Sequence, residues 1–209
     1  MFQNPMCRRL LSGVVLLLGG FQSAAHAAAD ELADALTATS TLAGVFEQTL
    51  MDSEGLVLEA SRGQFSLRRP GAFRWDYDQP YVQKVISDGD TIWHYDKDLA
   101  QVTVRPVGQT LSATPAALLS GAADLEDTFS VEEQGNGRFL LRPRNAEAEF
   151  ESATVQLEGG TIRVLEIQDA LGQQTRIEFF DVSRNVQFKD GWFRFDPPAG
   201  VDVVGESGA

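Results

Sequence analysis

The chain has 209 residues, with 17 Lys+Arg against 30 Asp+Glu and a formal net charge of −13. That acidic balance repels phosphate backbones and anionic headgroups and argues against nucleic acid as a partner. Cys7 is the only cysteine, and the histidines are two, His26 and His94.

Residues 1–27 read as a cleaved secretory signal peptide. Arg8 and Arg9 precede an apolar run from Leu10 to about Phe21, and small residues then lead to Ala25-His26-Ala27. Cleavage is expected after Ala27, with Ala29 as the second choice. The apolar run falls short of the ~20 residues that span a bilayer, which argues against an anchor. Cleavage removes two of the 17 Lys+Arg and none of the 30 Asp+Glu, leaving 28–209 with a net charge of −15. It also removes Cys7, which precedes the apolar run and so cannot be a lipid-modified cysteine. Residues 28–209 then have no disulfide, no thiolate nucleophile and no cysteine metal ligand. Their length suits one domain with a sizeable core.

A helix is expected from Ala28 to about Thr49. Leu32, Leu36, Thr39, Ala43 and Phe46 form its apolar stripe, and Gly44 marks where it yields to a strand. Strands follow near 45–51, 56–67, 72–78, 82–88, 91–96 and 100–105. The turns between them include Asp52-Ser53-Glu54-Gly55, Pro70-Gly71, Gln79-Pro80, Asp88-Gly89-Asp90 and Asp96-Lys97-Asp98. Thr114-Pro115 opens a short apolar helix through Ala116, Ala117, Leu118 and Leu119, which Gly121 stops. A second series of strands is expected at 127–134, 137–143, 149–158, 161–169 and 173–181, with short pieces near 192–195 and 201–204. The tail after Gly205 should fray. Many short strands with helix at only two places point to one large antiparallel sheet, curled into a barrel or half-barrel.

Phe73, Trp75 and Tyr77 are spaced by two, as are Trp93 and Tyr95, so each run turns its aromatic rings to one face of its strand. Enzymatic readings find little support. His94 is the one histidine left after cleavage, sits between aromatics, and is expected on the polar face of its strand. No HExxH, CxxC or phosphate-binding loop is present, and no carboxylate pair stands out among the 30 acids. What remains is apolar surface on a curled sheet, which either packs as core or leaves room for a ligand. Phe73, Trp75, Trp93, Phe179 or Phe180, and Phe193 with Phe195 are the aromatics available to line such a cavity.

The chain resembles the periplasmic outer-membrane lipoprotein carrier proteins. The resemblance rests on Phe46-x-Gln48, on Gly63 leading into Arg69-Pro70-Gly71-Ala72-Phe73-Arg74-Trp75, and on Gln79-Pro80. It continues through Ser87-Asp88-Gly89 with Ile92-Trp93-x-Tyr95, Thr114-Pro115 with Leu118-Leu119, and Phe193-x-Phe195-x-Pro197-Pro198-x-Gly200-Val201. It implies a mainly β protein with a few helices, built as an incomplete, half-open antiparallel barrel covered by a helical lid. It also implies a monomeric periplasmic carrier, without catalytic residues, metal or cofactor. Such a carrier takes triacylated lipoproteins from an inner-membrane ABC-type release complex and passes them to an outer-membrane lipoprotein receptor. By the same resemblance Arg69 is the lid latch and Phe73 and Trp75 are apolar sheet residues that contact acyl chains; Trp93, Leu118 and Leu119 are expected to join them. Some relatives carry tryptophan where this chain has Ser66, which makes the pocket roomier or more polar if that position faces it. A lipid-sensing or glycolipid-binding module of related fold is the alternative, and an envelope glycan hydrolase a more distant one.

Overall fold

The computed structural model describes residues 30–36, 38–107, 119–120, 125–145, 148 and 150–205. Residues 30–36 form a helix, α1, and Leu125–Thr128 form a one-turn helix, α2. Twelve strands make a single sheet: β1 Thr41–Met51, β2 Val57–Arg68, β3 Ala72–Gln79, β4 Gln83–Asp88, β5 Thr91–Asp96, β6 Gln101–Pro106, β7 Phe129–Glu133, β8 Arg138–Pro143, β9 Phe150–Glu158, β10 Thr161–Asp169, β11 Gln174–Arg184 and β12 Asp202–Gly205. Their order is β12-β6-β5-β4-β3-β2-β1-β11-β10-β9-β8-β7, so β7 and β12 are unpaired edges and the sheet is not closed. Every ladder is antiparallel except that of β12 on β6, which is parallel and departs from the all-antiparallel expectation.

The strand boundaries follow the turn residues closely. The Asp88 carboxylate accepts the N–H groups of Asp90 and Thr91 at 3.0 and 2.9 Å, and that of Asp96 accepts those of Asp98 and Leu99 at 2.9 and 3.0 Å. These Asx-type bonds satisfy donors that a tight turn removes from the ladder. Three expectations are corrected. The first helix ends far short of Thr49, since β1 begins at Thr41. Thr37, Thr39 and Thr41 are β-branched and disfavour further helical turns. Ala43 and Phe46 therefore belong to a strand and not to a helical stripe. The piece expected at 192–195 is a turn followed by irregular chain, and only 202–205 pairs with the sheet. The signal peptide, the helix expected from Thr114, Leu118 and the tail after Gly205 lie outside the described residues.

One face of the sheet carries the core. Leu42 and Phe46 of β1, Phe65 and Leu67 of β2, Phe73 and Trp75 of β3 and Ile92 of β5 join Phe179, Leu165, Val155, Phe139 and Val131 from the other half. Leu32 and Leu36 of α1 and Leu119 belong to the same cluster. A twisted sheet of this width curls, which helps to bury one face. We call this the inner face. Residues 186–201 run across the outer face of the N-terminal half. There Phe193 lies 4.8 Å beneath the Arg68 guanidinium, and Phe195 packs on Tyr95 with ring centroids 5.4 Å apart.

Candidate functional site

The inner face is richest in rings where β1, β2, β3 and β11 meet. Trp75 lies 4.9 Å from Phe46, 5.5 Å from Phe65 and 6.0 Å from Phe179, centroid to centroid. Gly63 makes room for this cluster: a Cβ there would stand 1.9 Å from the Asp76 carbonyl oxygen and 2.9 Å from the Phe46 ring. Tyr77 meets Phe46 edge-on at 5.1 Å and donates its hydroxyl proton to Gln48 at 3.2 Å. Burial, helped by the charge of Glu59 and opposed by the Gln48 bond, pushes that phenol up to about 12.

Of the residues singled out in the sequence, Phe73, Trp75 and Leu119 come together in this cluster, all of them buried. Trp93 does not join them. Through the β4 ladder it stands opposite Ile86, and Ile86 stands opposite Arg74, so Trp93 shares a face with Arg74 and turns away from Phe73 and Trp75. The two aromatic runs thus serve opposite faces: Phe73, Trp75 and Tyr77 inward, Trp93 and Tyr95 outward. By register His94 aligns with Val85 and Trp75 on the inner side of the sheet, at the polar rim, where it is exposed to solvent as expected for it. Desolvation holds its imidazole below the ordinary value; Arg105 pushes the same way and Asp96 opposes.

Phe179 faces inward, whereas Phe180 lies under the Arg163 guanidinium on the outside, and Phe193 and Phe195 are also outer-face residues. Ser66 pairs with Arg74 and faces outward too. It lines an outer groove of about 480 Å³ with Ala43, Gln64, Phe188 and Trp192. The absence of tryptophan at Ser66 therefore leaves the inner cluster untouched.

Arg69 sits at the end of β2 where α1 runs into β1. Its Nη1 donates to the Thr39 carbonyl at 2.7 Å, and its backbone N–H donates to the Ser40 carbonyl at 2.9 Å. Nε is buried with no hydrogen-bond partner. Burial draws the guanidinium down to about 10, which still leaves it charged at neutral pH. Two residues on, the Gly71 N–H donates to the Ser120 carbonyl at 3.1 Å. One turn therefore grips two of the chain segments that pack on the inner face, through Thr39-Ser40 after α1 and through Ser120 beside Leu119.

The inner face is thus an apolar sheet face with chain segments tethered across it. Among the described residues no group of three or more His, Cys, Asp and Glu could hold a metal ion. Residues 37–196 match the family model described as outer membrane lipoprotein carrier protein LolA. An outer-membrane lipoprotein carrier protein of Methylococcus capsulatus is 40% identical over 200 residues, covering 93% of this chain and 96% of that protein. One of Dechloromonas aromatica is 40% identical over 187 residues, covering 87% and 90%. An uncharacterised conserved protein of Thermus thermophilus shares the fold at TM-score 0.57 and 11% identity, over 84% of this chain and 98% of that one. The chain belongs to the LolA outer-membrane lipoprotein carrier family. It is a periplasmic transport protein for outer-membrane lipoproteins and not an enzyme.

Proposed function

We propose that the inner face around Phe46, Phe65, Phe73, Trp75 and Phe179 takes up the acyl chains of triacylated lipoproteins, and that α1 and the segment at Leu119 are the lid of a half-open barrel. The observation that carries this reading is the turn at Arg69–Gly71, which hydrogen-bonds both covering segments at the edge of the aromatic cluster. Each acyl chain exposes roughly 14 CH₂ groups worth ~0.8 kcal/mol apiece, on the order of 11 kcal/mol per chain, so transit through water requires cover. In the closed form Leu32, Leu36 and Leu119 supply that cover to the carrier itself. Acyl chains replace them with contacts of the same kind, so the exchange is close to balanced and cargo can be surrendered.

Arg69 is the latch in this scheme. A cation bonded to a carbonyl just beyond a helix C-terminus is favourable, but a buried guanidinium with an unmet Nε is not at its optimum and can be given up on loading. The Arg69 and Phe73 positions lie on one β2–β3 unit, so events at the ring cluster and at the latch are mechanically adjacent. An inner-membrane ABC-type release complex supplies the cargo and an outer-membrane lipoprotein receptor accepts it, with the carrier acting as a monomer.

Binding of the neutral dye Nile red to the purified protein tests the face. Phe73→Glu, which places a charge among the rings, should weaken binding by about tenfold or more. An unchanged affinity in a folded Phe73→Glu variant would remove the acyl chains from this face. Mass spectrometry of material co-purified from periplasm should find triacylated lipoproteins; free lipid or glycolipid alone would favour a sensing module.

A further inference from the structure

Past Tyr77 the inner face changes character. A second cavity of about 140 Å³ opens there, lined chiefly by Gln48, Glu59, Ser61, Tyr77, Gln79 and Gln83. Tyr77 and Val85 line it and also pack against the hydrophobic core, so it continues the apolar face without a break. Gln48 and Gln79 come from two of the motif pieces, Phe46-x-Gln48 and Gln79-Pro80, to which the acyl-binding scheme gives no task.

We propose that this cavity is a subsite for the uncharged glyceryl ester and amide groups at the acylated cysteine of a lipoprotein, and that it discriminates against phospholipids. The proposal rests on the acyl chains lying along the aromatic face, since only then does their point of attachment fall here. Three glutamine amides, a serine and a phenol offer donors and acceptors suited to esters and amides. The volume is about that of five water molecules in the liquid, room for such a junction but not for a folded domain. Beside it β2 runs on past the last β3 pair, Arg62–Gln79, so the polypeptide that follows the junction meets an open strand edge.

The charge pattern supplies the selectivity. The lining contains one carboxylate, Glu59, one histidine, His94, whose imidazole desolvation holds below its ordinary value, and neither lysine nor arginine. A phosphate lodged here would lie beside that carboxylate with no permanent cation to pair it, whereas neutral esters and amides lose little. Rejection of the wrong ligand by an uncompensated charge is a common source of specificity.

Two ligands with the same pair of octanoyl chains separate the ideas: a dioctanoylglyceryl thioether of N-acetylcysteine amide, and dioctanoylphosphatidylglycerol. Each is titrated against Nile red bound to the purified protein. The cysteine amide should displace the dye on the order of tenfold more tightly than the phospholipid. Glu59→Lys should bring that ratio towards one by strengthening phospholipid binding, with the affinity for Nile red unchanged. Gln48→Leu should weaken the cysteine amide several-fold and leave the phospholipid as it was. Equal displacement by both ligands in the wild type, or a ratio that neither variant moves, would overturn the subsite while leaving the acyl face intact. If neither ligand displaces bound dye, the acyl reading itself fails, and the subsite with it.

Discussion

Arg69 commits Nη1 to one carbonyl, keeps Nε buried and unpartnered, and remains charged. An arginine held this way stabilises the closed form only while its single acceptor stays in place. Replacing it with leucine removes the bond to Thr39 and adds apolar surface at the lid edge. Arg69→Leu should therefore load lipoprotein but release it poorly; in a transfer assay to outer-membrane acceptor, handover should fall about tenfold or more, and normal handover would discard the latch. His94 gives a second prediction at this scale. Its imidazole is held below the unfolded value, chiefly by desolvation. The unfolded chain thus binds the proton more readily, and stability falls as pH drops through about 6.5. His94→Gln should flatten that limb of the Tm–pH curve, and an unaltered curve would place the proton elsewhere. The Phe73, Trp75 and Leu119 cluster was legible because spacing by two and apolar runs are local facts. The outward turn of Trp93 was not.

The reason lies at the scale of elements. Spacing places residues on a common face of one strand but does not say which face of the sheet that is. The Asp88-Gly89-Asp90 turn fixes Ile86 opposite Trp93. The connection from Gln79 to Gln83, through Pro80, fixes Arg74 opposite Ile86, and its geometry depends on a longer loop. Two registers must be right in succession before Trp93 can be placed, and a slip of one residue reverses the answer. The β1 strand was obscured differently: Leu42, Phe46 and Gln48 alternate correctly, but Gly44 interrupts the apolar pattern and Thr39, Ala43 and Phe46 happen to fall at helical spacing. Gly63 makes an element-scale prediction. Because a Cβ would collide with the Asp76 carbonyl and press on the Phe46 ring, β2 and β3 must separate to admit one. Gly63→Ala should destabilise the fold by about 2–3 kcal/mol in urea unfolding. A change below about 0.5 kcal/mol would show that this contact does not constrain the sheet.

At the scale of the whole molecule the open sheet explains why a carrier needs a lid. A closed barrel would fill or seal its interior, whereas an open sheet presents one face that must be covered either by the chain or by cargo. Among the described residues α1 and the segment at Leu119 pack on that face, and both are hydrogen-bonded to a single turn. The strap at residues 186–201 shields the outer face and carries its own aromatic groups, so apolar surface alone does not identify the cargo face. Family likeness in the sequence named the function; the sheet topology tells which rings can share it. The three tryptophans divide cleanly on this point, with Trp75 inside and Trp93 and Trp192 outside. The direct measurement is fluorescence quenching by a triacylated lipopeptide bearing brominated acyl chains, in single-tryptophan variants made by replacing the other two with phenylalanine. The inner-face account predicts strong quenching when Trp75 is retained and little when Trp93 or Trp192 is. Quenching of Trp192 with Trp75 unaffected would move the cargo to the outer groove and contradict it.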